Sequence, residues 1–287
     1  MEYKIDKKKG YIEKREFLSF MTSVFDLSLN DVSMNGEQIE IPDKISKISF
    51  SVDLNLYAVK KAIDNKSNLI IVHHGLFWKK PIPIKSVVAK RIKNLLENNI
   101  GVYAIHLPLD IHPKIGNNSV FMNFLDGFSP EESSVKISLR NIKSFGFMPD
   151  LRKDLGFSAE ISTQNTTLEP SEGIKKHVFE TAITKILRSK IRYFSNNFNQ
   201  KINKFAFVSG NGGEFVDEAI EKGIDCYITG EMRHTDYYLL KEAGIDLALC
   251  GHYNSETLGL RRLMNEISEL FSIETEFISD DSQFNRF

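Results

Sequence analysis

The stretch "IIVHHGLFW" (70–78) ends a run of β-branched residues on two adjacent histidines, His73 and His74, followed by Gly75. Two successive imidazoles at a strand end must each find hydrogen-bond partners or a cation, because unsatisfied polar groups are costly away from water. "YAIHLPLDIHP" (103–113) sets His106 at another strand end, with Asp110 and His112 in the following turn, where Pro108 and Pro113 oppose a regular helix. "CGHYNSETLGLRR" (250–262) leaves a strand at Gly251 and presents His252 and Glu256 near the start of a long helix. Residues four apart on a helix share a face, so these two can point at one spot.

His73, His74, Asp110, His252 and Glu256 therefore offer imidazole nitrogens and carboxylate oxygens, all at the carboxyl ends of expected strands. That edge is where open α/β sheets form ligand sites. Such mixed donors suit Zn²⁺, Fe²⁺, Mn²⁺ or Ni²⁺ better than Ca²⁺ or Mg²⁺. Five ligands exceed the three of a catalytic zinc, whereas two divalent ions bridged by Glu256 or Asp110 use all five. Two cations about 3.5–4 Å apart hold a shared water, lower its pKa and stabilise the oxyanion made when the bridging hydroxide attacks. His106, beside this set, is the candidate catalytic acid or base, the role to which imidazole is suited.

Plainer readings stand next to these. A single histidine is more often hydrogen-bonded than metal-bound, His252 can be a neighbour of a helix capped by Ser255, and His106 can simply orient Asp110. His177, amid Lys175 and Lys176, reads as solvated surface, while His234 follows a strand and stays between the two readings. Trp78 and Phe77 either wall the site or belong to the core. In "SGNGGEF" (209–215) the backbone at Gly210, Asn211 and Gly212 can receive a phosphate, although close strand-helix packing is the commoner reason for such glycines.

The elements that must position these residues follow from hydrophobic periodicity. Strands are expected at 45–53, 68–74, 101–106, 134–140, 204–210, 226–230 and 247–251. Helices are expected at 12–25, 56–65, 86–99, 117–126, 173–188, 214–222, 234–243 and 255–271, giving an α/β fold. Pro130 and the polar "SPEESS" (129–134) mark a break between two lobes, and 150–172 reads as irregular loop.

Composition bounds the partners. The 287 residues are 41% hydrophobic and 26% charged, with 37 Lys+Arg against 38 Asp+Glu, a net charge of −1 that disfavours nucleic acid. No stretch has the run of about 18 apolar residues that a membrane helix needs, and the N-terminal residues lack an apolar signal core. A cytoplasmic protein with no membrane partner is expected. The two cysteines, Cys226 and Cys250, sit in apolar runs and read as free and buried, which excludes a disulfide framework or a cysteine-rich zinc site.

"VHHGLFWK", "YAIHLPLDIHP", "SGNGGEF", "ITGE" and "GHYNSETLG", in this order, closely resemble the Nif-three-like dinuclear-metal family, the type 2 GTP cyclohydrolase I-like proteins, over about residues 17–271. The resemblance implies that His73, His74, Asp110, His252 and Glu256 bind two metal ions, the same five reached from chemistry. Other members have H-T-N-L-D where this chain has "HLPLD". It further implies a two-lobed subunit of mixed β-sheets flanked by helices, with related halves. Residues 1–128 and 247–287 would form the lobe carrying the metal site and 129–246 the second. A ring-shaped homohexamer and GTP ring opening, in which hydroxide adds to C8 of guanine and formate leaves, are also implied. The first reading is thus a metal-dependent hydrolase of a nucleotide or related phosphorylated small molecule, GTP cyclohydrolase-like or a phosphoesterase. The alternative is a non-catalytic metal-binding or regulatory interaction protein.

Overall fold

The computed structural model describes residues 10–129, 135–165 and 171–280. The break expected at Pro130 lies outside them. The chain divides into two compact units, Met1–Ile115 with Gly259–Asp280, and Gly116–Leu258 with Asp281–Phe287.

The first unit is built on a five-stranded sheet. From one edge its strands are Glu274–Phe277, Lys47–Asp53, Leu69–His74, Gly101–Ala104 and Gly36–Ile39. The first four run parallel and the last antiparallel. Parallel neighbours need crossovers, supplied by the helices Leu56–Asp64 and Ser86–Glu97. The Asn55 side chain caps the first by accepting from the Ala58 amide at 2.8 Å. Val59, Ala62 and Leu95 of these helices pack on Ile70, Val72, Val102 and Ala104, all of them buried. Such strands, covered on both faces, read as continuous apolar runs, and this made "NLIIV" legible.

The second unit repeats the idea in a seven-stranded sheet. The path runs Arg192–Phe194, Asp246–Leu249, Cys226–Glu231, Lys204–Asn211, Lys153–Asn165, Val135–Met148, with Ser171–Glu172 paired to Lys153–Asn165. Its three parallel strands, from Lys204, Cys226 and Asp246, are flanked by antiparallel neighbours. Phe179, Ile183, Phe205, Phe207, Ile228 and Ala248 form the core with Val120, Phe121 and Leu125. Phe121 and Phe207 stack at 3.9 Å. Cys226 and Cys250 are free and buried in this core, which pushes both thiol pKa values up.

Two expectations are corrected. The stretch 150–172 is a strand over Lys153–Asn165, not a loop. Its alternation of Leu155, Phe157, Ala159 and Ile161 was hidden among Gly156, Ser158 and Ser162, which face the other side of a sheet flanked by strands. The lobe boundaries at 128 and 247 also move. The helix Asn117–Leu125 and the strand Asp246–Leu249 belong to the second unit, the helix through its core contacts and the strand through parallel pairing with Cys226–Glu231. His252 and Glu256 therefore stand in the second unit, not in a lobe with the other donors. Among the described residues no helix is long and apolar enough to cross a membrane.

Candidate functional site

His73 and His74 close the strand Leu69–His74, and each ring is tied to a different neighbouring strand. His73 Nδ1 lies 2.9 Å from the Ile105 carbonyl oxygen, just past the strand Gly101–Ala104. His74 Nδ1 lies 2.8 Å from Asp53 Oδ1, its register partner on the other side. Leaning opposite ways, the two rings still keep their centroids 4.8 Å apart. Gly75 is not in a left-handed conformation; a Cβ there would strike the Gln38 side chain, which accepts from the Leu76 amide at 2.6 Å and so shapes the strand exit.

His106 precedes a single helical turn, Leu107–Asp110. Pro108 sits in its first turn, where the missing N–H removes no bond, so the proline shortens the helix without forbidding it. His106 Nδ1 is 2.8 Å from Asp31 Oδ1. Asp31 is buried and also accepts from the Leu107 amide (2.9 Å), Asn35 Nδ2 (2.8 Å) and the Ser33 amide (3.0 Å). Burial alone would raise its pKa, but the hydrogen bond and charge of His106, with help from Asn35 and Ser33, hold it down at about 2. The ligand nitrogens of His73, His74 and His106 all lie within 4.8 Å of one another, a group able to hold a metal ion. Asp110 is buried, with Oδ2 3.3 Å from His73 Nε2. Trp78, the sole tryptophan, borders the imidazoles at 5.9 Å from His74 and 5.3 Å from His106 between ring centroids. Phe77 packs instead against the core.

In the second unit His252 opens a one-turn helix, His252–Ser255, and Glu256 follows it before the long helix Thr257–Phe271. The four-residue spacing brings His252 Nε2 to 3.0 Å from Glu256 Oε1. Nδ1 is 3.0 Å from Glu231 Oε1, at the end of the strand Cys226–Glu231. Burial works against charge on this ring, but the bonds and charges of Glu256 and then Glu231 outweigh it and raise its pKa to about 9. Ser255 is no simple cap: its Oγ donates to the His252 carbonyl (2.8 Å) and accepts from the Gly210 amide (2.9 Å).

Gly210, Asn211 and Gly212 pack against this corner. Gly210 has φ +66°, and a Cβ there would strike Glu256 Oε1, so only glycine fits on both counts. The amides of Gly210, Gly212 and Gly213 donate to Ser255 Oγ, the Glu231 carbonyl (3.2 Å) and Asn211 Oδ1 (3.1 Å). Two of the three amides expected to receive a phosphate, those of Gly210 and Gly212, thus donate within the unit.

The remaining histidines lie elsewhere. His112 Nδ1 accepts from the Lys114 and Ile115 amides at 3.2 and 3.1 Å, and burial lowers its pKa, so it braces a turn. His177 is exposed, and His234 begins the helix His234–Glu242 against Tyr238. Sequence reasoning missed the three carboxylates that fix the rings, Asp31, Asp53 and Glu231. Asp53 and Glu231 end strands of the parallel ladders, a usable signal; Asp31 lies in an irregular loop and had none.

The donor chemistry fits divalent metals. Four imidazoles have Nδ1 on an oxygen acceptor, the arrangement in which outer oxygens fix the tautomer and ring angle of a metal-binding histidine.

Comparison with known proteins identifies the family. The family profile described as Duf34/NIF3 (NGG1p interacting factor 3) matches residues 12–283. A protein of Archaeoglobus fulgidus named GTP cyclohydrolase 1 type 2 homolog is 33% identical over 264 residues, 92% of this chain and 96% of its own. A Pyrococcus horikoshii protein of the same name is 32% identical over 272 residues, covering 94% and 98%. The solved structure of TTHA1606 from Thermus thermophilus superposes with a TM-score of 0.77 at 24% identity, covering 95% of this chain and 100% of that one, which establishes the fold. The chain belongs to the DUF34/NIF3 family.

Proposed function

We propose that the chain is a metal-dependent hydrolase in which His73, His74, Asp110, His252 and Glu256 are ligands to two divalent cations of the Zn²⁺, Fe²⁺, Mn²⁺ or Ni²⁺ class. Its substrate is a nucleotide or related phosphorylated small molecule. The observation that carries this reading is the anchoring of four imidazoles through Nδ1, which leaves Nε2 as the atom of each that would face a cation, that of His252 once it has lost its proton. A bound pair of such ions supplies Lewis-acid activation of water and neutralises developing oxyanion charge. The chain's own residues orient and enclose: Asp53, Asp31 and Glu231 hold the rings, Gly210 leaves room for Glu256, and Trp78 shields the side of His74 and His106. The relatives' shared name makes GTP the first substrate to test, with a generic phosphoester second. A ring-shaped homohexamer is part of the proposal, and light scattering should return six times the chain mass.

The test is turnover by protein loaded with Zn²⁺, Mn²⁺ or Fe²⁺. GTP loss with formate release, or phosphoester cleavage, should fall at least about 100-fold in Glu256→Ala. Metal uptake without turnover across a wide substrate panel would reject the hydrolase and favour a non-catalytic metal-binding or regulatory interaction role, the sense in which the family's description speaks of an interacting factor.

A further inference from the structure

The second unit has a cleft at the edge of its sheet away from His252, where the parallel strands Cys226–Glu231 and Asp246–Leu249 begin. It encloses about 750 Å³ and is walled by residues 195–199, 220–225 and 241–245. The helices Val216–Glu221 and His234–Glu242 end beside it, each followed by a glycine, Gly223 or Gly244, at which a Cβ would meet nothing within 4 Å, so the floor is open. Ile220 on its wall is 38% exposed, and Phe198 at its rim is 100% exposed.

The turn that carries Phe198 is firmly tied down. Asp246, fully buried, accepts from the amides of Asn196 and Asn197 at 2.8 and 2.7 Å and pairs with Lys176 at 2.7 Å. Lys176 also donates to the Asn197 carbonyl and to Ser195 Oγ at 2.6 and 2.8 Å, and Asn196 Nδ2 donates to the Ile245 carbonyl at 2.9 Å. The Asn199 amide closes the turn on Asn197 Oδ1 at 2.6 Å. A buried ion pair is a costly way to hold a surface turn. Here it fixes the residues on both sides of a phenyl ring that gains no burial from its own chain, next to a cleft that the wholly exposed ring does not fill. An aromatic side chain on a preordered backbone is a ready anchor for a partner surface, since less ordering is left to be done on docking.

Knob and cleft lie side by side on one face. A partner that offers a cleft to Phe198 and a knob to this cleft is a second copy related by a two-fold axis, through which one patch meets itself. Charge agrees, because the lining sets Lys241 against Asp225 and Glu242, so that two-fold copies bring opposite charges together. We propose that this face is a two-fold contact between copies of the chain, with Phe198 of each seated in the cleft of the other beside Ile220 and Ala243. The contact involves neither the cations nor the hydrolase reading, and it stands whether the assembly has two chains or six.

Light scattering and sedimentation of the full chain over a range of concentrations test it. Phe198→Asp should halve the assembly mass, and Phe198→Leu should preserve it. Ala243→Lys approaches from the cleft side: the position is exposed and ends a helix, where a cation is favoured, so the fold is kept by circular dichroism while the mass again halves. The proposal is overturned if the wild-type chain is a monomer, which would leave the face to a different protein or to a small molecule. It is equally overturned if Phe198→Asp leaves the mass unchanged, or if Ala243→Lys does so while Phe198→Asp halves it. A wild-type mass of two chains, halved by Phe198→Asp, supports this contact and rejects the ring; six chains unmoved by Phe198→Asp keep the ring and overturn the contact.

Discussion

In the first unit a two-residue ribbon, Ile12–Glu13 on Lys44–Ile45, brackets a helix and an antiparallel edge strand, and three parallel strands with two helical crossovers follow. In the second, Ile174–Lys175 on Lys201–Ile202 brackets a helix and an antiparallel edge strand, and again three parallel strands with helical crossovers follow. Both units then leave the third strand through a single helical turn that carries a histidine and, four residues on, an acid: His106 to Asp110, and His252 to Glu256. The side chains at matching places differ. The middle parallel strand ends on His73-His74 in one unit and on Gly230-Glu231 in the other. One backbone plan thus supplies three clustered imidazoles in the first unit and, in the second, a single imidazole held between two carboxylates. Topology sets where donors emerge, and the residues at the strand ends decide how many there are.

The largest expected contrast lies at the first residue of the helix bracketed by each ribbon, Lys14–Val24 in the first unit and Lys176–Leu187 in the second. Lys176 pairs with Asp246 at 2.7 Å, and that carboxylate is fully buried; Lys14 pairs with Glu37 at the same distance, but about a quarter of each side chain is exposed. Lys176→Met leaves a buried charge short of a partner and should cost about 3 kcal/mol in urea unfolding, against at most about 1 kcal/mol for Lys14→Met. Equal losses would mean that burial does not distinguish the pairs.

The strand-end glycines come next. A Cβ on Gly230 would meet the Gly210 carbonyl oxygen at 2.5 Å and His252 Cα at 2.8 Å, both backbone, whereas on Gly75 it would meet only the Gln38 amide. Gly230→Ala should therefore destabilise by about 2 kcal/mol and Gly75→Ala by less than about 1 kcal/mol, measured by the same unfolding midpoint. A smaller loss at Gly230 would show that the second unit's corner yields.

The carboxylates behind the rings sharpen the comparison further. Asp31 has a side chain 1% exposed, while Glu231 is 52% exposed. Asp31→Asn, which disturbs a buried carboxylate held by four donors, should destabilise by about 2 kcal/mol and Glu231→Gln by less than about 1 kcal/mol in urea unfolding, because an exposed partner is replaced by water. The reverse order would show that the exposed carboxylate anchors its imidazole more firmly.

The smallest effect concerns pH in chelator-treated protein. His252 has a folded-state pKa raised to about 9 from an ordinary value near 6.5, so its contribution is fully present below about pH 6.5 and lost as pH rises through about 9. A ring 35% exposed is partly screened, so unfolding midpoints at pH 6 and 9.5 should differ by no more than about 1 kcal/mol on its account. That difference should vanish in His252→Asn, and the first unit's histidine variants should leave it in place.

Much of the site was legible because its donors sit at strand exits. "IIVHH" announces a buried strand that stops on polar residues, and the His-x-x-x-acid spacing announces a shared face. The carboxylate of Asp31 was not legible, since its function depends on a partner 75 positions away and no local periodicity marks it, whereas Asp53 ends a strand as the histidines do. The strand Lys153–Asn165 was misread because Gly, Ser and Thr masked its alternation, and the unit boundary was misplaced because strand pairing, a long-range property, decides it. Two-residue ribbons such as Ile12–Glu13 are too short to leave a pattern.

The two cysteines of the second core bear on any experiment that adds metal. Folded, the chain offers a thiophilic ion no thiolate, because both thiols are sealed in the core and stay protonated. Once denatured, it offers two. Zinc added in excess therefore also acquires ligands in the unfolded ensemble, and its gain in melting temperature should fall short of what its affinity for the native protein implies, whereas manganese, indifferent to thiolate, should show the full gain.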